Sequence, residues 1–183
     1  MLAWKPGVEG PTTVSAKVTD SNGLTAMSPT INVSVSAHPQ ADAARLLQQA
    51  SFGATQAEIA RVAGVGVGGW LTEQFAAAQT LHLSTVSADP LYPTEPYSVM
   101  MPSIWKQFFE GNDQLRQRMV FALSQILVIS MNNNTLNDQA CATASYLDLL
   151  GTHAFGNFKD LLKAVTLSPA MGEYLDMKGS AKA

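Results

Sequence analysis

The chain has 183 residues, 46% of them apolar and only 14% charged, with a net charge of −3 at neutral pH. That length fits one domain of ordinary size, or one domain and a piece of another, and so much apolar content excludes global disorder. Basic residues occur singly or in the short cluster Arg116/Arg118, so no basic stripe exists to neutralise phosphates, and nucleic-acid binding is excluded as an expectation.

The opening residues, MLAWKPGVEG, have neither a basic start nor an apolar core and do not read as a signal peptide. Beyond them Val14, Ala16 and Val18 alternate with Ser15, Lys17 and Thr19, and Ile31, Val33 and Val35 alternate with Asn32 and Ser34. Period-two patterning of this kind predicts strands with one buried face, joined by a turn at Asp20-Ser21-Asn22-Gly23. The stretch resembles the last two strands of a bacterial immunoglobulin-like module. A whole sandwich needs about 100 residues, so residues 1–37 are expected to be an incomplete module.

After His38-Pro39 the period becomes helical. Ala43, Leu46, Leu47 and Ala50 share one helix face, with Asp42 favourable near its start. Thr55-Gln56-Ala57-Glu58 is a capping box that opens a second helix through Ile59 and Val62. A third is predicted over residues 68–78, carrying Trp70, Leu71 and Phe75. Residues 79–98, rich in Ser, Pro and Thr, show no sustained period and predict a loop.

Residues 102–110 predict a short helix bearing Ile104, Trp105, Phe108 and Phe109, ended by Gly111-Asn112. A long helix over residues 113–131 follows, its stripe made by Leu115, Met119, Leu123, Ile126 and Leu127. Beyond Phe121 its other faces turn apolar, predicting burial all round. The apolar run from Met119 to Met131 is too short for a membrane span, which needs about 20 residues. Asn132 and its two neighbours stop the helix, and another covers residues 136–153. Asn157 caps residues 158–166, where Phe158, Leu161, Leu162 and Val165 form one stripe, and Ser168-Pro169 restarts a last helix. The ending, MKGSAKA, reads as a chain cut inside a domain. The expected fold is thus mainly α, with about seven helices after an N-terminal β-hairpin.

Few residues offer chemistry. Gly64, Gly66 and Gly69 satisfy G-x-G-x-x-G, with Asp89 20 residues later. The motif follows a capped helix rather than a strand, so it reads as a helix–helix connection with Gly64 as the C-cap, not as a dinucleotide site. His38, His82 and His153 are far apart and form no metal motif, and the single Cys141 reads as a small buried hydrophobe. His153 continues the stripe of Ala142, Tyr146, Leu149 and Leu150, where packing and capping of helix carbonyls is one role. The other pairs it with Glu173 or Asp176, expected on one face of the last helix, for acid–base work. Arg116 and Arg118 are expected to pair with Glu110 or Asp113 or to be solvated. Ser124 and Gln125 are expected in the buried half of their helix, bonded to a neighbouring helix or facing a ligand. No cofactor and no metal is called for. Asn32-Val33-Ser34 and the triplet ending at Thr135 are glycosylation sequons, meaningful only in an exported eukaryotic protein.

The blocks DAARLLQQASFGAT, GGWLTEQF, LRQRMVFALSQILVIS and YLDLLGTHAFGNFKDLLKAVTLSPAMGEYLD resemble, in order and spacing, the N-terminal part of the Domain of Unknown Function 1800 family. The resemblance runs from about residue 42 to the end, making residues 38–183 a helical domain continued elsewhere by a motif like N-Y-A-R-E-L. It implies an exported bacterial protein, extracellular or periplasmic, and supplies no active-site residues. A scaffold or interaction role with a protein or cell-surface partner is therefore expected. The alternative is a secreted hydrolase that combines residues 79–98, His153 and Glu173 with further C-terminal residues.

Overall fold

The computed structural model describes residues 10–35, 38–132 and 135–177, which leaves the opening MLAWKPGVE, most of the second sequon and the KGSAKA ending outside the described residues. The chain divides into two compact units, Met1–Pro39 and Gln40–Ala183.

In the first unit β1 (Gly10–Val14) pairs antiparallel with β4 (Ile31–Val35), Thr12 lying opposite Val33. Nested between them, β2 (Lys17–Thr19) pairs antiparallel with β3 (Thr25–Met27). The expected turn forms. Asp20 Oδ1 accepts from the main-chain N–H groups of Asn22 and Leu24, each at 2.9 Å, and Gly23 takes φ 84°. Two details depart from the sequence pattern. The alternating run breaks between β1 and β2, and residues 25–27 add a strand. Among the residues whose burial is described, Val18, Leu24, Met27 and Ile31 are all exposed. A two-stranded ribbon has no second layer to cover either side.

The second unit is helical. Its elements are α1 (Pro39–Ala50), α2 (Gln56–Ala76), α3 (His82–Ser87), α4 (Pro96–Glu110), α5 (Gln114–Ile126), a 3-10 turn at Leu136–Asp138, α6 (Ala140–Thr152), α7 (Phe158–Thr166) and α8 (Pro169–Tyr174). These eight α-helices among the described residues bear out the mainly α reading, with no strand threading the unit. None is long and apolar enough to cross a membrane.

Helix α6 is the hub, touching α3, α4, α5, α7 and α8. Its Ala140, Ala144 and Gly151 let neighbours approach, while Tyr146, Leu147 and Leu150 fill the main core with Val86, Met100, Phe108, Val120 and Leu161. Burying a side chain such as Leu150 contributes roughly 1.5–3 kcal/mol. A smaller core holds α1 to α2 through Ala43, Leu47, Val62 and Trp70.

Several predicted bounds move, each for a local reason. The second and third predicted helices both form and together make α2, joined at Gly66 with a non-helical φ of 75° and ψ of 164°, so the expected glycine connection holds but its break is Gly66 rather than a Gly64 cap. Thr55 Oγ1 accepts from Glu58 N–H at 3.1 Å, but the Glu58 carboxylate turns to Arg61 at 2.9 Å, leaving the capping box half made. The predicted loop over residues 79–98 contains α3. Helix α4 starts six residues early, at Pro96, and takes Pro102 inside. Burial of Val99 and Met100 on its first turns outweighs the hydrogen bond that Pro102 cannot donate.

Helix α5 stops at Ile126, short of the predicted end, and Tyr146 Oη donates to the Leu127 carbonyl at 2.7 Å just past it. Ile126 and Val128 are exposed, so burial is not all round. The Asn157 cap forms as expected, accepting from Lys159 N–H at 2.8 Å. Of the α7 stripe, Leu161 and Val165 are buried whereas Phe158 and Leu162 are exposed.

Candidate functional site

Several places in the helical unit gather polar or aromatic groups. The first is interior. His82, at the start of α3, is 1% exposed, and its Nε2 lies 3.0 Å from Gln117 Oε1. Gln117 Nε2 donates to the Thr80 carbonyl and to Asp113 Oδ2, both at 3.1 Å. Its oxygen therefore faces the imidazole, so His82 carries its proton on Nε2 and Nδ1 is the acceptor. Asp113 is fully buried, also accepts from Thr80 N–H at 3.1 Å, and has Arg116 Nε 3.8 Å away.

Asp148 of α6 completes the network by accepting from the main-chain N–H groups of His82 at 2.7 Å and Leu83 at 3.0 Å. Burial lowers the pKa of His82, and a second proton would lie on a buried Nδ1 that has no partner. Burial raises the pKa of Asp148 against the pull of those two amides. His82, Asp113 and Gln117 are buried, while Asp148 is half-buried with its carboxylate held by the two α3 amides. The arrangement locks residues 79–83 onto α5 and α6.

The second place comprises the candidates read from the sequence. His153 is the half-buried C-cap residue of α6, its main-chain N–H donating to the Leu149 carbonyl. Glu173 lies in α8, half-buried, and lines a cleft with Leu136, Gln139, Ala142 and Ser168 that His153 does not line. Asp176 is exposed and lies beyond α8, which ends at Tyr174, in a left-handed conformation with φ 53°. Glu173 and Asp176 thus do not share a helix face. No hydrogen bond or ion pair joins either carboxylate to His153 among the described residues.

One further expectation is corrected and one holds in part. Cys141 is half-buried rather than buried, and the neighbouring thiol raises the pKa of Tyr92. Arg116 makes the expected ion pair with Asp113, Nε to Oδ2 at 3.8 Å, and also donates to the Gly151 carbonyl and covers Phe155 at 4.7 Å, while Arg118 stacks over Phe52, 5.3 Å from its centroid.

The third place is open. Helices α4, α5 and α6 and residues 128–132 enclose a groove of about 400 Å³. Its α4 wall is the row Tyr97, Met101 and Trp105, four residues apart, with exposures of 52%, 44% and 40%. Behind the row, an aromatic cluster holds the wall in place. Trp105 stacks on Phe109 with centroids 5.7 Å apart, and Phe108 stacks on Phe52 at 4.8 Å. Such ring pairs contribute about 0.5–1.5 kcal/mol beyond their buried area.

Ser124 and Gln125 lie on the α5 side. Contrary to expectation, neither bonds another helix: Ser124 Oγ donates to the Phe121 carbonyl at 2.7 Å, and Gln125 Nε2 donates to Ser124 Oγ at 3.3 Å. On the α6 side lie Tyr146 and Thr143. Burial pushes Tyr146 up to about 12, so it is a neutral phenol at pH 7. Thr143 is 7% exposed, and its hydroxyl has no hydrogen-bond partner. Among the described residues no charged side chain lines the groove.

Sequence reasoning found the aromatic residues of α4 as a helix stripe but not as a wall, because a groove exists only once three helices meet. His82, Asp113, Gln117 and Asp148 carried no signal either, being spread over more than 60 residues of chain. No group of three or more metal-ligating side chains converges among the described residues. The Gly64–Gly69 motif lies within helix α2, where no strand delivers it to a phosphate.

No curated protein and no solved structure matches the chain. A family model described as a protein of unknown function (DUF1800) matches residues 45–183, most of the chain and nearly all of the helical unit. The chain belongs to the DUF1800 family.

Proposed function

We propose that this protein acts by binding rather than by catalysis, as a scaffold or interaction component of an exported or cell-surface protein. The groove between α4, α5 and α6 receives its ligand. One contrast carries this reading. The His82 imidazole and the Asp113 carboxylate are buried inside and the Asp148 carboxylate is engaged in capping α3, whereas the groove between α4, α5 and α6 is ring-lined and uncharged. Ligand sites are commonly clefts of about 300–1,000 Å³ with apolar walls and a few polar groups, which this groove matches in size and lining.

Residues 1–37 are read as the closing strands of an immunoglobulin-like module and residues 38–183 as the binding domain. A charged fraction of 14% and a β-module beside a binding domain suit a surface protein.

Met101→Arg and Val128→Arg place a cation in the groove wall without touching the main core. Each is expected to weaken binding of the neutral fluorophore N-phenylnaphthylamine by ten-fold or more, with the helical circular dichroism unchanged. Turnover of an ester, amide or glycoside panel that His153→Ala abolishes in a folded protein would overturn the reading in favour of a hydrolase.

A further inference from the structure

We propose that α3 is an acid-released strap: a second proton on His82 frees residues 81–88 from α5 and α6 while the rest of the helical unit stays folded. The strap stands apart from the groove reading. Three observations carry it. First, the imidazole is 1% exposed and its tautomer is fixed. Gln117 donates its amide to Thr80 and Asp113, so its oxygen accepts from His82 Nε2, and Nδ1 has no partner. A second proton would make Nδ1 a buried, unbonded donor on a charged ring, which is costly compared with the same proton in water.

Second, none of the groups that face His82 accepts from Nδ1. From α6, Asp148 commits one oxygen to the main-chain N–H of His82 and the other to that of Leu83. From α5, Asp113 turns Oδ2 to Thr80 and Gln117 and has the Arg116 guanidinium beside it, Nε 3.8 Å away. From α4 comes the ring of Phe108, its centroid 5.3 Å from that of the imidazole. Within α3 no other side chain titrates. The two carboxylates attract an imidazolium, yet burial outweighs them and lowers the pKa of His82.

Third, little else holds α3. It has six residues, too few to stand as a helix alone, and its N-cap Leu81 supplies no acceptor, so its first amides rely on Asp148. Its buried side chains are His82 and Val86, and one side-chain bond, from Gln107 to Thr85, ties it to α4. Segments with so few buried contacts open before the whole fold does. Release leaves α5 and α6 packed on each other, and it withdraws the imidazole from Phe108, a residue of the groove wall.

Native-state hydrogen exchange on the full chain is the test. A released His82 titrates near about 6.5, so opening is favoured as pH falls below that value and suppressed above it, by up to about ten-fold per pH unit. Between pH 7.5 and 5.5 the opening constant at the His82, Leu83 and Val86 amides is expected to rise about five- to ten-fold. These amides are also expected to open about ten-fold or more often than those of Leu147 and Leu150, without the dependence on low urea that marks global unfolding. Exchange of α3 in step with Leu150, or an opening that ignores pH, overturns the strap. His82→Gln, which keeps a donor but cannot titrate, is expected to hold the opening constant across that range, and a rise as large as the parent's overturns the role of His82. If that variant fails to fold, the imidazole nitrogen shifts of the parent decide. A neutral ring protonated on Nε2 is expected in the closed state down to pH 5.5, and a closed-state ring that charges at about 6.5 or above overturns the proposal.

Discussion

At the scale of single residues, Gly66 shows what a glycine run hides. Gly64, Gly66 and Gly68 all face open space, with no atom within 4 Å of an added Cβ, so sterics do not distinguish them. Conformation does: Gly66 at φ 75° and ψ 164° occupies a region closed to other residues, while Gly64 and Gly68 are helical. Gly66→Ala is therefore expected to destabilise the protein by roughly 1–3 kcal/mol. Gly64→Ala and Gly68→Ala are expected to stabilise it by about 0.4–1 kcal/mol each. Urea denaturation of the three variants checks the contrast, and equal effects at all three sites would contradict the kink. The sequence marked a break in this run but not its position, because backbone angles at equivalent glycines are set by how Trp70 and Val62 must meet in the smaller core.

Among elements, α3 was the least legible. It has six residues, too few for a period, and its N-cap position is Leu81, which offers no side-chain acceptor. The cap comes instead from Asp148, more than 60 residues away, through two hydrogen bonds. A local reading of residues 79–98 cannot see a partner that the fold alone supplies. Asp148→Ala is expected to lose the usual value of an N-cap, about 1–2 kcal/mol, and to expose the amides of His82 and Leu83. Hydrogen exchange at those two amides is the measurement, and undiminished protection would rule out the capping role. By contrast α7 was read correctly at its start, since Asn157 caps it from the adjacent position. The strands show the opposite limit: their alternation predicted the ladder, but not which face would be covered. That depends on neighbours rather than on pattern.

For the molecule as a whole, the interior network makes stability depend on pH. The folded pKa of His82 is lowered, chiefly by burial, so below about 6.5 the unfolded chain takes a proton that the folded state refuses. Stability from His82 is present above that value and is lost as pH falls toward the folded pKa. Asp148 has the opposite sign. Its raised folded pKa gives stability that is full below about 4 and fades as pH rises through the folded value. Between pH 7.5 and 5.5 the His82 effect is expected to dominate, with stability falling by up to about 1.4 kcal/mol per pH unit. Unfolding in urea across that range measures the slope, which His82→Gln should flatten. An unchanged slope would mean that the imidazole does not titrate with folding.

The link between α1 and α2 sends Phe52 across from the smaller core into the aromatic cluster of the larger, where it stacks on Phe108 and lies beneath Arg118. With Leu115 packed on the smaller core and Gln74 bonded to Asn112 and Leu115, that ring works as one dowel between the two bodies. The helical unit should thus come apart in a single calorimetric peak, and trimming Phe52 to alanine should broaden it, letting α1 and α2 fray first.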